Sequence, residues 1–277
     1  MSLRLRILAF VCCAAFFLGP ACGALGEEPQ IRGYVQRQGW QYVTLGRYHQ
    51  AEDGGVEPII WRVLSVEGSR AYVVSEYVLI NHRIHPDDTE YIAFGGDFRQ
   101  TEMWDFLNGA FAQEAFSEAE LNVLEDTEDF GRLFLLSRED LKNKSYGFIS
   151  NNTRKAWGTP WALAQMTYNE EHHRAEQALF RYSAARGSHS PYWTRTQGSN
   201  GYSANCTKSK GEIGWIRVVV QNEGCRPACV ILLDQVMIAG GSGALDDPWI
   251  LVPQEAVEVS AEPITATDAA QEGAGDP

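Results

Sequence analysis

The spacing of hydrophobic and polar positions changes twice along this chain. Tyr42 to Gly46 and Pro58 to Val66 are rich in β-branched and aromatic residues and are bounded by Gly and Asp, which predicts strands. Glu67-Gly68 joins the second run to Ala71–Ser75, and so short a Gly-bearing link predicts an antiparallel hairpin. At Thr101 the period shifts: Met103, Trp104, Leu107, Ala110 and Phe111 recur at spacings of three and four, the stripe of a helix capped by Thr101. Ser117 and Glu120 then form a capping box, with Phe116 placed to pack on Leu121 across it. Arg132 to Leu136 predicts a buried strand, and Ser137 to Asp140 repeats the cap with the shorter acid. Lys142 to Pro160, polar, Asn-rich and punctuated by Gly147, Gly158 and Pro160, predicts a long surface loop. Glu170 to Ala185 predicts a helix with Ala175, Ala178, Leu179 and Tyr182 on one side. The chain then turns β-rich again, from Pro191 to Arg195, Tyr202 to Thr207, Trp215 to Gln221 and Cys225 to Leu233. Helices interspersed with strands, without regular alternation, predict an α+β fold.

The two ends read differently from the middle. Arg4 and Arg6, an apolar run from Ile7 to Leu18 and small residues at Ala21, Gly23 and Ala24 make residues 1–24 a three-part signal peptide. As a helix the apolar run would cross only about 18 Å of a hydrocarbon layer about 30 Å thick, so no transmembrane span is expected in the mature chain. Cys22 opens a lipoprotein route, against which Gly19 and Pro20 occupy places where an aliphatic and a small residue are usual. Residues 253–277 hold six acids, no Lys or Arg and almost no large apolar residue, which predicts a disordered acidic tail. Between them, 30–252 carries no linker and no internal repeat, so a single α+β domain is expected.

Charge and chemistry narrow the function by exclusion. The chain has net charge −13, and removing Arg4 and Arg6 with the signal leaves 21 basic against 36 acidic residues, about −15, which excludes nucleic acid as partner. His82, His85, Asp87 and Asp88 crowd together, but Pro86 breaks the helix that a metal pair would use, and a polar turn is expected. Neither Asp126, Glu128 and Asp129 nor Asp246-Asp247 has the Gly-punctuated alternation of a calcium loop, so no metal is expected. Phosphate loops, nucleophile elbows and dinucleotide fingerprints are missing, and no cofactor is implied. Of the eight tryptophans, Trp61 and Trp104 sit in apolar patterns and belong to the core, whereas Trp157, Trp161 and Trp249 are surface candidates. With the signal removed, Cys206, Cys225 and Cys229 remain. The last two, about 13 Å apart on an extended strand, are too far apart to bond, so Cys206 is expected to pair with one of them, Cys225 in preference.

Ile60-Trp61-Arg62-Val63-Leu64, Trp104-Asp105-Phe106-Leu107-Asn108, Phe116 with Glu120, Phe134-Leu135-Leu136-Ser137, Tyr192-Trp193-Thr194-Arg195 and Gly224-Cys225-Arg226-Pro227-Ala228 follow one another as landmarks. Together, over about Tyr42 to Asp234, they resemble a family of uncharacterised bacterial domains of secreted and surface proteins, similar to the C-type-lectin-like and sulfatase-modifying-factor (formylglycine-generating enzyme) folds. The resemblance implies a twisted antiparallel sheet with flanking helices and brings no established catalytic residues. This chain departs from it at Cys206, Cys225 and Cys229, where aliphatic residues are usual. It sets Arg195 and Arg226 side by side, either as a ligand clamp or as buried arginines paired with an acid such as Glu120 or Asp105. The resulting expectation is a secreted or cell-envelope recognition or scaffold domain that binds a protein or cell-surface glycan. Its candidate binding residues are Trp193, Arg195, Asn200, Arg226, Trp157 and Trp161, on loops such as Lys142 to Pro160 and Ser188 to Gly201. The alternative is a formylglycine-generating-like oxidase with Cys225 or Cys229 as redox centre.

Overall fold

The computed structural model describes residues 30–164, 189–221 and 223–255. The signal segment, the helix expected over Glu170 to Ala185 and the tail beyond 255 lie outside the described residues. The chain divides into residues 1–30 and 31–277, and every element below belongs to the second unit.

β1 (Tyr42–His49), β2 (Val56–Glu67) and β3 (Arg70–Ser75) form the predicted antiparallel meander. Gly68 turns the hairpin at φ +60°, a conformation that costs glycine nothing. Trp61 is buried at the centre of this sheet, where its indole N–H donates to Leu45 O at 2.8 Å, so a large apolar body is sunk without leaving its polar atom unpaired. The short β4 (Ile80–Asn81) leads to α1 (Asp88–Ala93), capped by Asp87, whose side chain accepts from Thr89 N and Glu90 N. The polar stretch around His82 and His85 is thus a turn that ends in a helix cap.

The helix predicted from Thr101 is present but interrupted. α2 (Glu102–Phe106) runs into a π turn (Leu107–Phe111) and then α3 (Ala112–Ala115). Thr101 caps it as expected, accepting from Trp104 N. The wider turn keeps Met103, Leu107 and Phe111 buried and swings Ala110 out to solvent, off its predicted stripe. α4 (Glu118–Asn122) carries the predicted capping box, with Ser117 Oγ accepting from Glu120 N at 3.3 Å and Glu120 from Ser117 N at 2.8 Å. Glu120 also accepts from Gly46 N, which ties the box to the irregular middle of β1.

The strand expected over Arg132 to Leu136 narrows to β5 (Phe134–Leu135), because the N–H groups of Arg132 and Leu133 go to Asn108 Oδ1 and not to a neighbouring strand. Lys142 to Pro160 is also more structured than a loop. It holds a 3-10 turn (Lys144–Tyr146) capped by Asn143, then α5 (Asn151–Arg154) behind a Ser150–Thr153 capping box, and it reaches α6 (Pro160–Ala164). The asparagines and serines that made it look irregular are its caps.

β6 (Tyr192–Gln197), β7 (Ser203–Thr207), β8 (Ile213–Arg217), β9 (Gly224–Cys225), β10 (Pro227–Leu232), β11 (Val236–Gly240) and β12 (Trp249–Pro253) complete the fold. They build two sheets: seven strands in the order β11-β12-β1-β2-β3-β10-β5, and five in the order β4-β9-β6-β7-β8. The class is α+β, with few and short helices among the described residues. Pairing is antiparallel except for β1 with β12 and β6 with β9, which are parallel. β12 therefore lies beside β1, and β10 beside β3, so the late strands close onto the opening meander. Among the described residues no helix is long and apolar enough to cross a membrane.

Candidate functional site

Arg226 occupies the corner where the chain leaves one sheet at Cys225 and enters the other at Pro227. Its side chain is fully buried: Nε donates to Ser75 O at 2.7 Å, Nη1 reaches Tyr192 Oη at 3.3 Å, and Nη2 lies 3.9 Å from Glu76. Burial pushes this guanidinium below its ordinary pKa. Glu76 is shared with the buried Arg62, which grips it through Nε at 2.7 Å and Nη2 at 2.6 Å and lies 4.2 Å over the Trp40 ring. Two buried cations thus lean on one carboxylate. Trp193, 1% exposed, donates from its indole to His82 O at 2.8 Å. Trp193 and Arg226 are core residues, Arg226 linking β3 of one sheet to β6 of the other, which corrects their placement at a binding surface.

Arg195 points elsewhere. Its backbone N donates to Leu136 O, joining β6 to the end of β5, and its Nη1 contacts Leu135 O and Asp140 Oδ2, the latter at 3.1 Å. The same Asp140 oxygen accepts from Ser137 N at 2.7 Å and Tyr72 Oη at 3.1 Å. Burial raises the Tyr72 phenol, and the Asp140 carboxylate adds to this, so Tyr72 stays a neutral donor. The Arg195 guanidinium lies 4.1 Å over Phe130 and 5.5 Å over Phe134, Tyr72 stacks on Phe134 at 5.8 Å, and Tyr146 meets Tyr72 edge-on at 5.5 Å. These groups form the bed of a groove of about 440 Å³ between the β2–β3 turn and the segment from Glu125 to Phe130. Arg195 and Arg226 are therefore not a joint clamp. Their acids are Asp140 and Glu76, whereas Asp105 and Glu120 serve neither among the contacts here.

The acidic lip of the groove is held from behind. Trp104 donates to Phe130 O at 2.7 Å, and Asn108 makes four hydrogen bonds: Nδ2 to Trp104 O and Leu133 O, and Oδ1 from Arg132 N and Leu133 N. Gly131, at φ +77°, comes so near that a Cβ there would fall 2.8 Å from Asn108 Oδ1. Thr127 closes the turn, accepting from Phe130 N and donating to Gly131 O. Glu125 N donates to Val230 O, fixing the lip to β10. The Trp104 to Asn108 landmark thus positions the groove wall.

A second groove, of about 610 Å³, is more apolar and is lined by Ile60, Tyr77, Trp157, Pro58, Pro160 and Pro248 among others. Trp157 is 41% exposed there and meets the His189 ring at 4.4 Å. Trp161 is half-buried against His49 at 4.8 Å. Asn200 sits in the β6–β7 turn and accepts from Ser203 Oγ, a role in holding the turn.

Redox and metal chemistry fare less well. β6 lies between the strands of Cys206 and Cys225, with Trp193 paired to Cys206 and Tyr192 to Gly224. Two strand spacings of about 4.8 Å part their Cα atoms by about 10 Å, beyond the reach of a disulfide, so the expected Cys206–Cys225 bond is not formed in this structure. Cys225 and Cys229 are wholly buried, and burial pushes both thiols up, away from the thiolate that a redox or copper centre would use. Among the described residues no three of His, Cys, Asp and Glu gather as metal ligands. His82 and His85 engage Glu102 and Glu90 separately.

The groove's bed comes from Tyr72, Phe130, Phe134, Asp140, Tyr146 and Arg195, of which only Arg195 was marked by the sequence as a binding candidate. The run Glu125 to Phe130 carried the available signal, four acids in five residues ahead of an aromatic, which in sequence could only be tested against a calcium loop. Compared with known proteins, the chain matches one family profile, a domain of unknown function (DUF6273), over residues 69–233. No curated protein and no solved structure matches it.

Proposed function

We propose, from the premise that this chain belongs to the DUF6273 family, that it is an exported bacterial domain of recognition or scaffold type which binds a protein or cell-surface glycan through the Arg195 groove. One observation carries the reading: a concave, aromatic-bedded groove whose polar groups are fixed by hydrogen bonds and whose wall is braced from behind by Asn108. Such preformed concavity is what small and extended ligands select. The signal-like start at Arg4 to Ala24 supports export, with release or envelope attachment downstream of it.

The finer fold assignment, to the C-type-lectin-like and sulfatase-modifying-factor-like group, belongs to the same proposal. It is supported by the first and last strands lying side by side while short helices, turns and the second sheet fill the span from β3 to β10. An experimental structure superposed on members of that group tests it, and a different strand order removes it.

Binding is tested by presenting the purified protein to glycan and cell-wall arrays and to surface-protein extracts, with Tyr146→Ala as the groove variant. Tyr146 is half-buried at the edge of the core, so the melting temperature of the variant is read alongside its binding. Retention that Tyr146→Ala abolishes is the expected result. Retention indifferent to that change, or none at all alongside turnover of a substrate, overturns the reading.

A further inference from the structure

We infer that the occupant of the Arg195 groove is a basic polypeptide segment, one that lays a lysine or arginine side chain along the bed. This rests on the recognition reading above and narrows it. The lining holds six carboxylates, Glu67, Glu125, Asp126, Glu128, Asp129 and Asp140, against two guanidiniums, Arg70 and Arg195, an excess of four. Both guanidiniums are already matched inside the groove: Arg70 to Glu125 at 2.6 Å and Arg195 to Asp140 at 3.1 Å. Of the remaining acids, Asp126 has only Arg132 nearby, at 3.9 Å, and Glu67, Glu128 and Asp129 are exposed on opposite lips. Clefts lined by one sign of charge draw ligands of the other.

The aromatic bed separates a cation from a neutral sugar. A pyranose needs an open ring face, and here Phe130 carries Arg195 while Phe134 carries both Tyr72 and Arg195. Tyr146 offers a half-exposed ring beside the acids, an arrangement suited to a methylene stem on the ring with its charged head among carboxylates. The protein's own Arg195 shows the local chemistry: a guanidinium on a phenyl ring, held by a carboxylate. Carboxylates on both lips suit charges repeated along a chain, so a strand with neighbouring basic residues engages both walls at once.

The test titrates the full chain with N-acetylated, C-amidated tetralysine, its side-chain-acetylated counterpart, spermidine and neutral chitotetraose, reading affinity and amide shifts. Tetralysine is expected to bind with shifts around Tyr72, Phe130 and Tyr146. The acetylated peptide should not bind, and spermidine should bind more weakly. Glu128→Gln with Asp129→Asn should weaken tetralysine roughly tenfold, as should raising salt from about 50 to 300 mM. Asp246→Asn with Asp247→Asn, on the β11–β12 turn at the far edge of the sheet, should change nothing. Equal loss from both double variants marks diffuse attraction to an acidic protein and overturns the inference. Spermidine bound as tightly as tetralysine overturns the polypeptide as occupant. Chitotetraose binding at the groove without tetralysine overturns the basic segment but leaves the recognition reading standing. If none of these probes and no array ligand engages the groove, both fail.

Discussion

At Glu76 two buried guanidiniums, Arg62 and Arg226, depend on a single carboxylate that sits between the two sheets. Replacing it by Gln leaves both cations uncompensated, and a loss of about 3–5 kcal/mol in denaturant unfolding is expected. The cysteines make a second prediction at this scale: Cys225 and Cys229 should resist a thiol reagent at pH 8 in the folded protein and react on denaturation, because burial and not a base sets their state. His82 gives the third. Stacked at 4.4 Å on Phe106, it has its pKa lowered by burial, so the unfolded chain binds its proton more readily than the folded one. Its contribution is complete above the unfolded value near 6.5 and is lost as pH falls through the folded one. His82→Gln should flatten that part of the stability–pH curve below about pH 6.5. The sequence showed Arg195 and Arg226 but hid their partners, since Asp140 and Glu76 are distant in the chain and only the strand order delivers them.

Among the elements, local signals were legible and long-range ones were not. The Ser117–Glu120 box, the Thr101 cap and the Gly68 hairpin follow from residues within four positions of each other, and each is present. The π turn at Leu107–Phe111 gave no local sign, because what it serves is the three-bond grip of Asn108 on a segment some 25 residues later. Asn108→Ala removes all four bonds and leaves Arg132 and Leu133 N–H groups without that acceptor. A cost of about 2–4 kcal/mol is expected by thermal unfolding, together with a loosened groove lip seen as faster amide exchange from Glu125 to Leu133. The cysteine pairing misled for a related reason. Cys225 and Cys229 are unbonded, but they lie on β9 and β10 of different sheets and not on the single strand that the spacing argument assumed; which strands are neighbours is a property of the sheet, and β6 came between Cys206 and Cys225.

For the whole molecule, the consequential pairing is β12 laid parallel beside β1. A chain ending after Gly243 would leave β1 without its outer neighbour and β11 without its hairpin partner. It should melt roughly 10 °C or more below the parent, or lose a cooperative transition altogether. Parallel neighbours cannot be joined by a tight turn, so almost the entire chain is the connection between these two strands. Closing so large a loop must precede the contacts that reward it, which places refolding in the slow, millisecond-to-second range and makes it sensitive to anything that delays the final segment. A ribosome delivers the companion of β1 only after everything from Gln50 to Pro248 has been made. Any nascent chain that has not yet reached β12 therefore carries an unfinished larger sheet, with the outer edge of β1 bare.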